Sequence, residues 1–263
     1  MSVKGKRIVL TRPDNSDLKA LLKDKGATVI DMPLIHIVLS NPDNSDVLDD
    51  IATYQWLCFT SSNGVNGFFN EFFRRYDDIR CIGACKIACV GQSTARTLKD
   101  KFHLASDVVP AEQNAISMAE AMMQHESLDN LQILIACGNL SKDELSKTLE
   151  SKGRAIVDKF VVYQTEETPE SDISAAMKDF VKFGADAIVF GSPSAVDAFF
   201  ADIKNFAIDK SAVKPKTVAI GETTASRMRK HSMPVDIVAE TSSDAGVMAA
   251  LEKILQNKAF KNF

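Results

Sequence analysis

The chain has little of what a nucleic-acid, membrane or nucleotide-binding protein needs. Its 263 residues carry 31 Lys and Arg against 35 Asp and Glu, a formal charge of −4, whereas neutralising phosphates takes a basic face. Nucleic acid is therefore excluded as the main partner, while an anionic small molecule stays open provided local donors hold it. No apolar run reaches the roughly 18 residues of a membrane span and the N-terminus has no signal-peptide core, so no membrane and a cytoplasmic location are expected. Neither GxGxxG nor GxxxxGK[ST] occurs, which speaks against dinucleotide and P-loop nucleotide binding. Cysteine is odd in number at 5, and Cys58, Cys89 and Cys137 sit in or at the end of strand-like apolar runs. They read as reduced, buried thiols of a cytosolic protein. The even spacing of Cys81, Cys85 and Cys89 invites a metal reading. Gly83 and the strand signal at 87–90 break the single helix such spacing would need, and His, Asp and Glu do not cluster beside them, so no metal is expected.

What the chain does contain is a second copy of itself. The run Phe59-Thr60-Ser61-Ser62-Asn63-Gly64-Val65-Asn66-Gly67-Phe68-Phe69 returns as Phe190-Gly191-Ser192-Pro193-Ser194-Ala195-Val196-Asp197-Ala198-Phe199-Phe200, shifted by 131 positions. Residues 86–95 reappear as 216–225, 107–109 as 236–238, and 18–26 as 145–153, at shifts of 130, 129 and 127. A near-constant shift over four segments indicates two similar halves. With 45% hydrophobic residues the chain can build its cores without staples.

Short β-rich runs alternate with helical patterns, the rhythm of a parallel sheet. Strands are predicted at 7–11, 28–32, 56–60, 86–90, 132–137, 155–162, 187–191 and 217–220. Their near-continuous apolar character suits strands covered on both faces. Helices are predicted at 17–25, 64–76, 94–102, 115–124, 142–152, 195–203, 224–231 and 244–257, many opening on a Ser, Thr, Asn or Asp cap. Two polar, proline-containing stretches, 40–46 and 165–172, read as connectors. They fall at the same point of each repeat, so the chain is expected to cross between domains there twice, each domain mixing the start of one repeat with the end of the other. The expected domains are 1–38 with 168–263, and 39–167.

The loops after the strands hold Thr60-Ser61-Ser62-Asn63, Gly91-Gln92-Ser93-Thr94, Gly191-Ser192-Pro193-Ser194 and Gly221-Glu222-Thr223-Thr224. At a strand-to-helix turn, glycine allows close approach while hydroxyls and first-turn N–H groups offer donors to an anion. The plainer reading is that these hydroxyls only cap helices, worth about 1 kcal/mol each. Four equivalent loops favour a shared ligand cleft between the halves. Asn139, in Cys137-Gly138-Asn139-Leu140, either donates to a ligand or caps a turn. Tyr163 ends the run Phe160-Val161-Val162 just before the second connector, with His36 as its repeat mate. It is either a core or interface residue whose hydroxyl finds one partner or the general acid. His103, His125 and His231 read as surface residues.

Taken in order, Leu10-Thr11-Arg12-Pro13, Phe59-Thr60-Ser61-Ser62, Gly91-Gln92-Ser93-Thr94, Cys137-Gly138-Asn139-Leu140, Val162-Tyr163-Gln164-Thr165, Phe190-Gly191-Ser192-Pro193-Ser194 and Gly221-Glu222-Thr223-Thr224-Ala225 resemble uroporphyrinogen-III synthases over nearly the whole chain. The resemblance implies two α/β domains of parallel sheet with helices on both faces, two extended connectors, and an active site in the cleft between the domains. It also implies a lyase of porphyrin and haem biosynthesis. Such an enzyme closes linear hydroxymethylbilane to uroporphyrinogen III with loss of water and inversion of ring D, without cofactor or metal; a monomer is expected. The partner is then a linear tetrapyrrole with eight carboxylates. Carried onto this chain, Tyr163 helps the terminal hydroxyl leave. Arg12, Thr60, Ser61, Ser62, Ser93, Thr94, Gly138, Asn139, Ser192, Ser194, Thr223 and Thr224 are the substrate-binding candidates. A two-domain binder of a small anion, built on the same loops, would have no use for Tyr163.

Overall fold

The structure, a computed structural model, describes residues 3–39, 45–203 and 209–256. Among them ten strands form two sheets of five. The first has β1 (Arg7–Leu10), β2 (Thr28–Asp31), β8 (Ala187–Phe190), β9 (Lys216–Ala219) and β10 (Ile237–Val238) in the order β10-β9-β8-β1-β2. The second has β3 (Ile35–Leu39), β4 (Trp56–Phe59), β5 (Lys86–Cys89), β6 (Gln132–Gly138) and β7 (Ile156–Glu167) in the order β3-β7-β6-β4-β5. The pairings of β1, β2, β8, β9 and β10, and of β4 to β7, are parallel.

The duplication is visible in the strand order. Sheet one runs β9-β8-β1-β2 where sheet two runs β5-β4-β6-β7, and the β10 edge has its counterpart in the isolated parallel bridge of Ala88 with Val108. Each sheet joins the opening strands of one repeat to the closing strands of the other. The chain accordingly divides into two compact units, Met1–His36 with Glu166–Phe263, and Ile37–Thr165.

In the first unit, alternate residues of each strand point to opposite faces. Val9, Ile188, Phe190 and Ala219 face Ile173, Met177, Phe199 and Met228 of α6 (Glu170–Phe183), α7 (Pro193–Ile203) and α8 (Glu222–Lys230). Ile8, Leu10, Val189 and Val218 face Leu18 and Leu22 of α1 (Ser16–Asp24) and Val247 and Leu251 of α9 (Asp244–Ile254). The second unit repeats this. Leu57, Phe59, Leu134 and Phe160 pack on α2 (Ser62–Arg75) and α3 (Gln92–Phe102), and Trp56, Cys58, Ile133 and Ile135 on α4 (Ala115–His125) and α5 (Glu144–Ser151). Cys58, Cys89 and Cys137 are buried free thiols. Burial pushes all three up, Cys89 to about 12. Cys81 is exposed and lies in a 3-10 turn, Ile79–Ile82, while Cys85 is half-buried.

Helix α2 decides the geometry of the site. Its Phe68, Phe69 and Phe72 are fully buried, each worth about 1.5–3 kcal/mol of transfer from water. Its glycines let it lie directly on the sheet: a Cβ on Gly67 would stand 2.6 Å from the Val162 carbonyl oxygen, and one on Gly64 2.9 Å from that of Ala136. The N-terminal half of α2 is thereby pressed against the end of β6 and the middle of β7.

The structure departs from the sequence reading at several points. Residues 165–172 are not a loop, because β7 continues to Glu167 and α6 begins at Glu170, with Pro169 capping it. Ile173, Met177 and Phe180 form the buried stripe of that helix. The first repeat has a break where β7 is continuous: Met32-Pro33-Leu34 separates β2 from an unpredicted strand, β3. Pro33 has no N–H to give to a ladder. Of the first connector, residues 40–44 lie outside the described residues, as does the last position of the helix predicted at 244–257. That helix ends at Ile254.

Candidate functional site

In parallel sheets ligands are taken beyond the carboxyl ends of the strands, and every candidate loop lies there. In the first unit, neighbouring β9, β8 and β1 end at Gly221, Gly191 and Thr11-Arg12. Arg12 lies across Gly191, where a Cβ would meet its Cγ at 2.0 Å. One guanidinium nitrogen of Arg12 donates to Asp244 Oδ1 at 2.7 Å. Ser192 accepts the Ala195 N–H at 3.1 Å and meets the Ser194 hydroxyl at 3.0 Å.

In the second unit β5, β4, β6 and β7 place Gly91, Thr60-Ser61, Gly138-Asn139 and Tyr163 side by side. Ser61 caps α2, accepting the Gly64 N–H at 3.0 Å, and its Oγ lies 3.1 Å from the Tyr163 hydroxyl. Gly138 is the register partner of Tyr163 across β6 and β7. A Cβ on Gly138 would stand 2.4 Å from Tyr163 Cζ. The half-buried Tyr163 phenol is raised above its ordinary value by desolvation, against which the Ser61 hydrogen bond works. The phenol therefore keeps its proton across neutral pH.

The four loops are not equivalent donors. Ser61 and Ser192 satisfy their own helix N-termini. Helices α3 and α8 instead begin after Gly91 and Gly221 and have no side-chain cap. Their first-turn N–H groups have no intrahelical partner and carry the positive end of the helix dipole. Ser93 and Thr223 are exposed at these turns, whereas Thr94 and Thr224 are buried, each only 2% exposed. The structure thus leaves Thr94 and Thr224 only their backbone N–H groups to offer. Ser62 Oγ accepts the Thr97 hydroxyl at 3.0 Å, and Thr60 is half-buried. Asn139 extends the β6–β7 ladder by side chain, its Oδ1 accepting the Thr165 N–H at 2.9 Å.

Sequence reasoning passed over Gln113 and Ser242. Gln113 Oε1 would lie 2.4 Å from a Cβ on Gly91, and Ser242 Oγ 3.2 Å from one on Gly221. The two residues are repeat mates, and the shift of 129 that relates residues 107–109 to 236–238 would have found them. Asp244, partner of Arg12, left no such signal.

Fold and site together define a duplicated α/β protein with hydroxyl- and glycine-rich loops at the carboxyl ends of two parallel sheets. The family model "Uroporphyrinogen-III synthase HemD" matches residues 16–249. The "Porphyrin biosynthesis protein HemD" of Ruminiclostridium josui is 28% identical over 261 residues, 96% of this chain and 48% of that protein. The "Putative uroporphyrinogen-III synthase" of Methanocaldococcus jannaschii is 30% identical over 167 residues, 63% of this chain and 64% of that protein. This chain therefore spans about half the length of the first relative and just under two thirds of the second. A mutant uroporphyrinogen III synthase from the extremely thermophilic bacterium Thermus thermophilus superposes with a TM-score of 0.66 at 18% identity, covering 96% of this chain and 99% of that one. The uroporphyrinogen-III synthetase of Helicobacter pylori 26695 gives 0.63 at 17%, covering 94% and 99%. These structures show the shared fold. The chain belongs to the uroporphyrinogen-III synthase family.

Proposed function

We propose that this chain cyclises hydroxymethylbilane to uroporphyrinogen III, with loss of water and inversion of ring D. Beside its family membership, the observation that carries the reading is the Tyr163 hydroxyl. It is protonated, held at the carboxyl ends of β4 and β6, and flanked by Ser61 and Gly138. In this reading the C–O bond of the terminal hydroxymethyl group breaks with its electron pair on oxygen, and the Tyr163 proton completes a water molecule. The azafulvenium left behind is attacked by the ring D carbon that already bears the bridge. The spiro intermediate rearranges, and the ring proton finally lost returns to the phenolate, so the only net product besides the macrocycle is water.

A lost general acid costs about 10²- to 10⁴-fold, or about 3 to 5 kcal/mol of barrier. Hydroxymethylbilane closes unaided to the non-inverted isomer, so the larger task is holding the chain with ring D reversed, which is catalysis by positioning. The uncapped N–H groups of α3 and α8, with Arg12, Ser93 and Thr223, are the donors we assign to the carboxylates. They act at contact range, which is how a chain of net charge −4 holds a polyanion. We take the two compact units as the two domains, and the enzyme as a cytoplasmic monomer that uses neither cofactor nor metal. Incubation of the purified chain with hydroxymethylbilane, with the isomer of the cyclised product determined, tests the reading.

A further inference from the structure

Ser61 was expected among the substrate-binding hydroxyls, but both of its visible engagements are internal. Its Oγ accepts the Gly64 N–H at 3.0 Å and lies 3.1 Å from the Tyr163 hydroxyl. A serine oxygen has one proton to give and two lone pairs. The Gly64 N–H takes one lone pair, which leaves the direction of the Ser61–Tyr163 bond as the question. We infer that Ser61 donates its proton to the phenol oxygen of Tyr163, so that Tyr163's own proton is free to point at the substrate; Ser61 is a positioning residue for the acid.

Three physical arguments converge on that direction. An oxygen that already accepts a hydrogen bond from a helix N–H becomes a better donor through its own O–H. Ser61 also sits at the N-terminus of the 14-residue α2, whose dipole favours negative charge nearby. The charge that develops when Tyr163 gives up its proton lies one hydrogen bond away. Finally, a phenol that donated to Ser61 would have to break that bond before protonating anything else. The glycines of α2 serve the same end: without the close approach at Gly64 and Gly67, the cap residue would not reach Tyr163 on β7. Among the described residues, the ionisable group that acts on the Tyr163 phenol is Cys137, which burial holds protonated.

The inference rests on the acid role proposed for Tyr163, and its test separates the two. Turnover and tyrosine titration, followed by phenolate absorbance as the difference from the Tyr163→Phe chain, are measured for Ser61→Ala, Ser61→Thr and Ser61→Asp. Each substitution is also combined with Tyr163→Phe. Ser61→Ala should lower kcat by about tenfold, the share of one hydrogen bond, with KM little changed, and should move the Tyr163 titration upward. Ser61→Thr, which keeps the hydroxyl, should retain most of the turnover. Ser61→Asp still caps α2 but cannot donate, so it should fold normally and move the titration further upward. In the Tyr163→Phe background none of the three should lower kcat again. An unchanged titration in Ser61→Ala, or an equal kcat loss with and without the Tyr163 hydroxyl, overturns the inference. Near-native turnover of Tyr163→Phe alone would instead remove the acid role, and the titration would still decide whether Ser61 donates to the phenol.

Discussion

The ring of Tyr163 lies across the backbone of Gly138, so close that a Cβ on Gly138 would stand 2.4 Å from Cζ and 2.9 Å from the hydroxyl oxygen. The two residues are register partners on adjacent parallel strands. A glycine that ends one strand therefore makes room for the hydroxyl carried by the next.

Gly138→Ala must accordingly push the Tyr163 ring aside. A displacement near 1 Å costs about 10²-fold when it moves a reacting group, and overpacking costs about 1–3 kcal/mol. We expect kcat to fall by about that factor with a lowered but cooperative melt. Measured kcat for Gly138→Ala within threefold of the native chain would show that Tyr163's position does not matter.

Gly67→Val tests the seat of α2. Its added side chain meets the Val162 carbonyl and should lift the helix from β7, separating Ser61 from Tyr163 and costing about 1–3 kcal/mol. Denaturant unfolding alongside turnover checks this, and activity should fall by more than the folded fraction does.

The second-half threonines should behave differently from each other. Thr223 is exposed while Thr224 is only 2% exposed. Thr223→Phe should screen the uncapped N–H groups of α8, raising KM tenfold or more (about 1.4 kcal/mol) with the melting temperature nearly unchanged. Thr224→Phe should instead lower the melting temperature by overpacking the α8 face. An unaltered KM in Thr223→Phe removes this loop from the substrate-binding set.

Much of this was legible because the chain repeats. The alternation of apolar runs and capped helices placed eight strands, and the repeat shift paired their loops. Helix α6 was missed because the polar run 165–172 hid its start, although Ile173, Met177 and Phe180 have helical spacing. Strand β3 was missed because Pro33 interrupts the run, yet Ile35-His36 aligns with Val162-Tyr163 and pointed to it. At the site, composition named the hydroxyls but not their directions. Thr94 and Leu98, like Thr224 and Met228, stand four apart on one helix face, and their burial together was readable in that spacing. The Ser61–Tyr163 and Arg12–Asp244 contacts were not readable, because they depend on how closely one element lies on another.

An acid-side prediction concerns Asp236, whose carboxylate accepts the Thr217 N–H at 2.8 Å and faces Lys216. Burial pushes its pKa up, but these hydrogen bonds win and the folded value lies below 3.8. A depressed carboxylate contributes stability that is present above 3.8 and lost as pH falls through the folded value. The native chain should therefore lose its advantage over Asp236→Asn between pH 4 and the folded value. Paired denaturant titrations at about pH 7 and pH 2 would check this, and an equal gap at both would contradict it.

If this chain turns ring D over during closure, as proposed, the isomer of its product will show it. Hydroxymethylbilane is incubated with the native chain, with Tyr163→Phe and with buffer, and each product is oxidised to porphyrin and separated by isomer. The native chain should yield the type III isomer. Tyr163→Phe should yield the same isomer about 10²- to 10⁴-fold more slowly, and buffer the non-inverted isomer. A native chain that yields only the non-inverted isomer, at the rate of buffer, would contradict the proposed function.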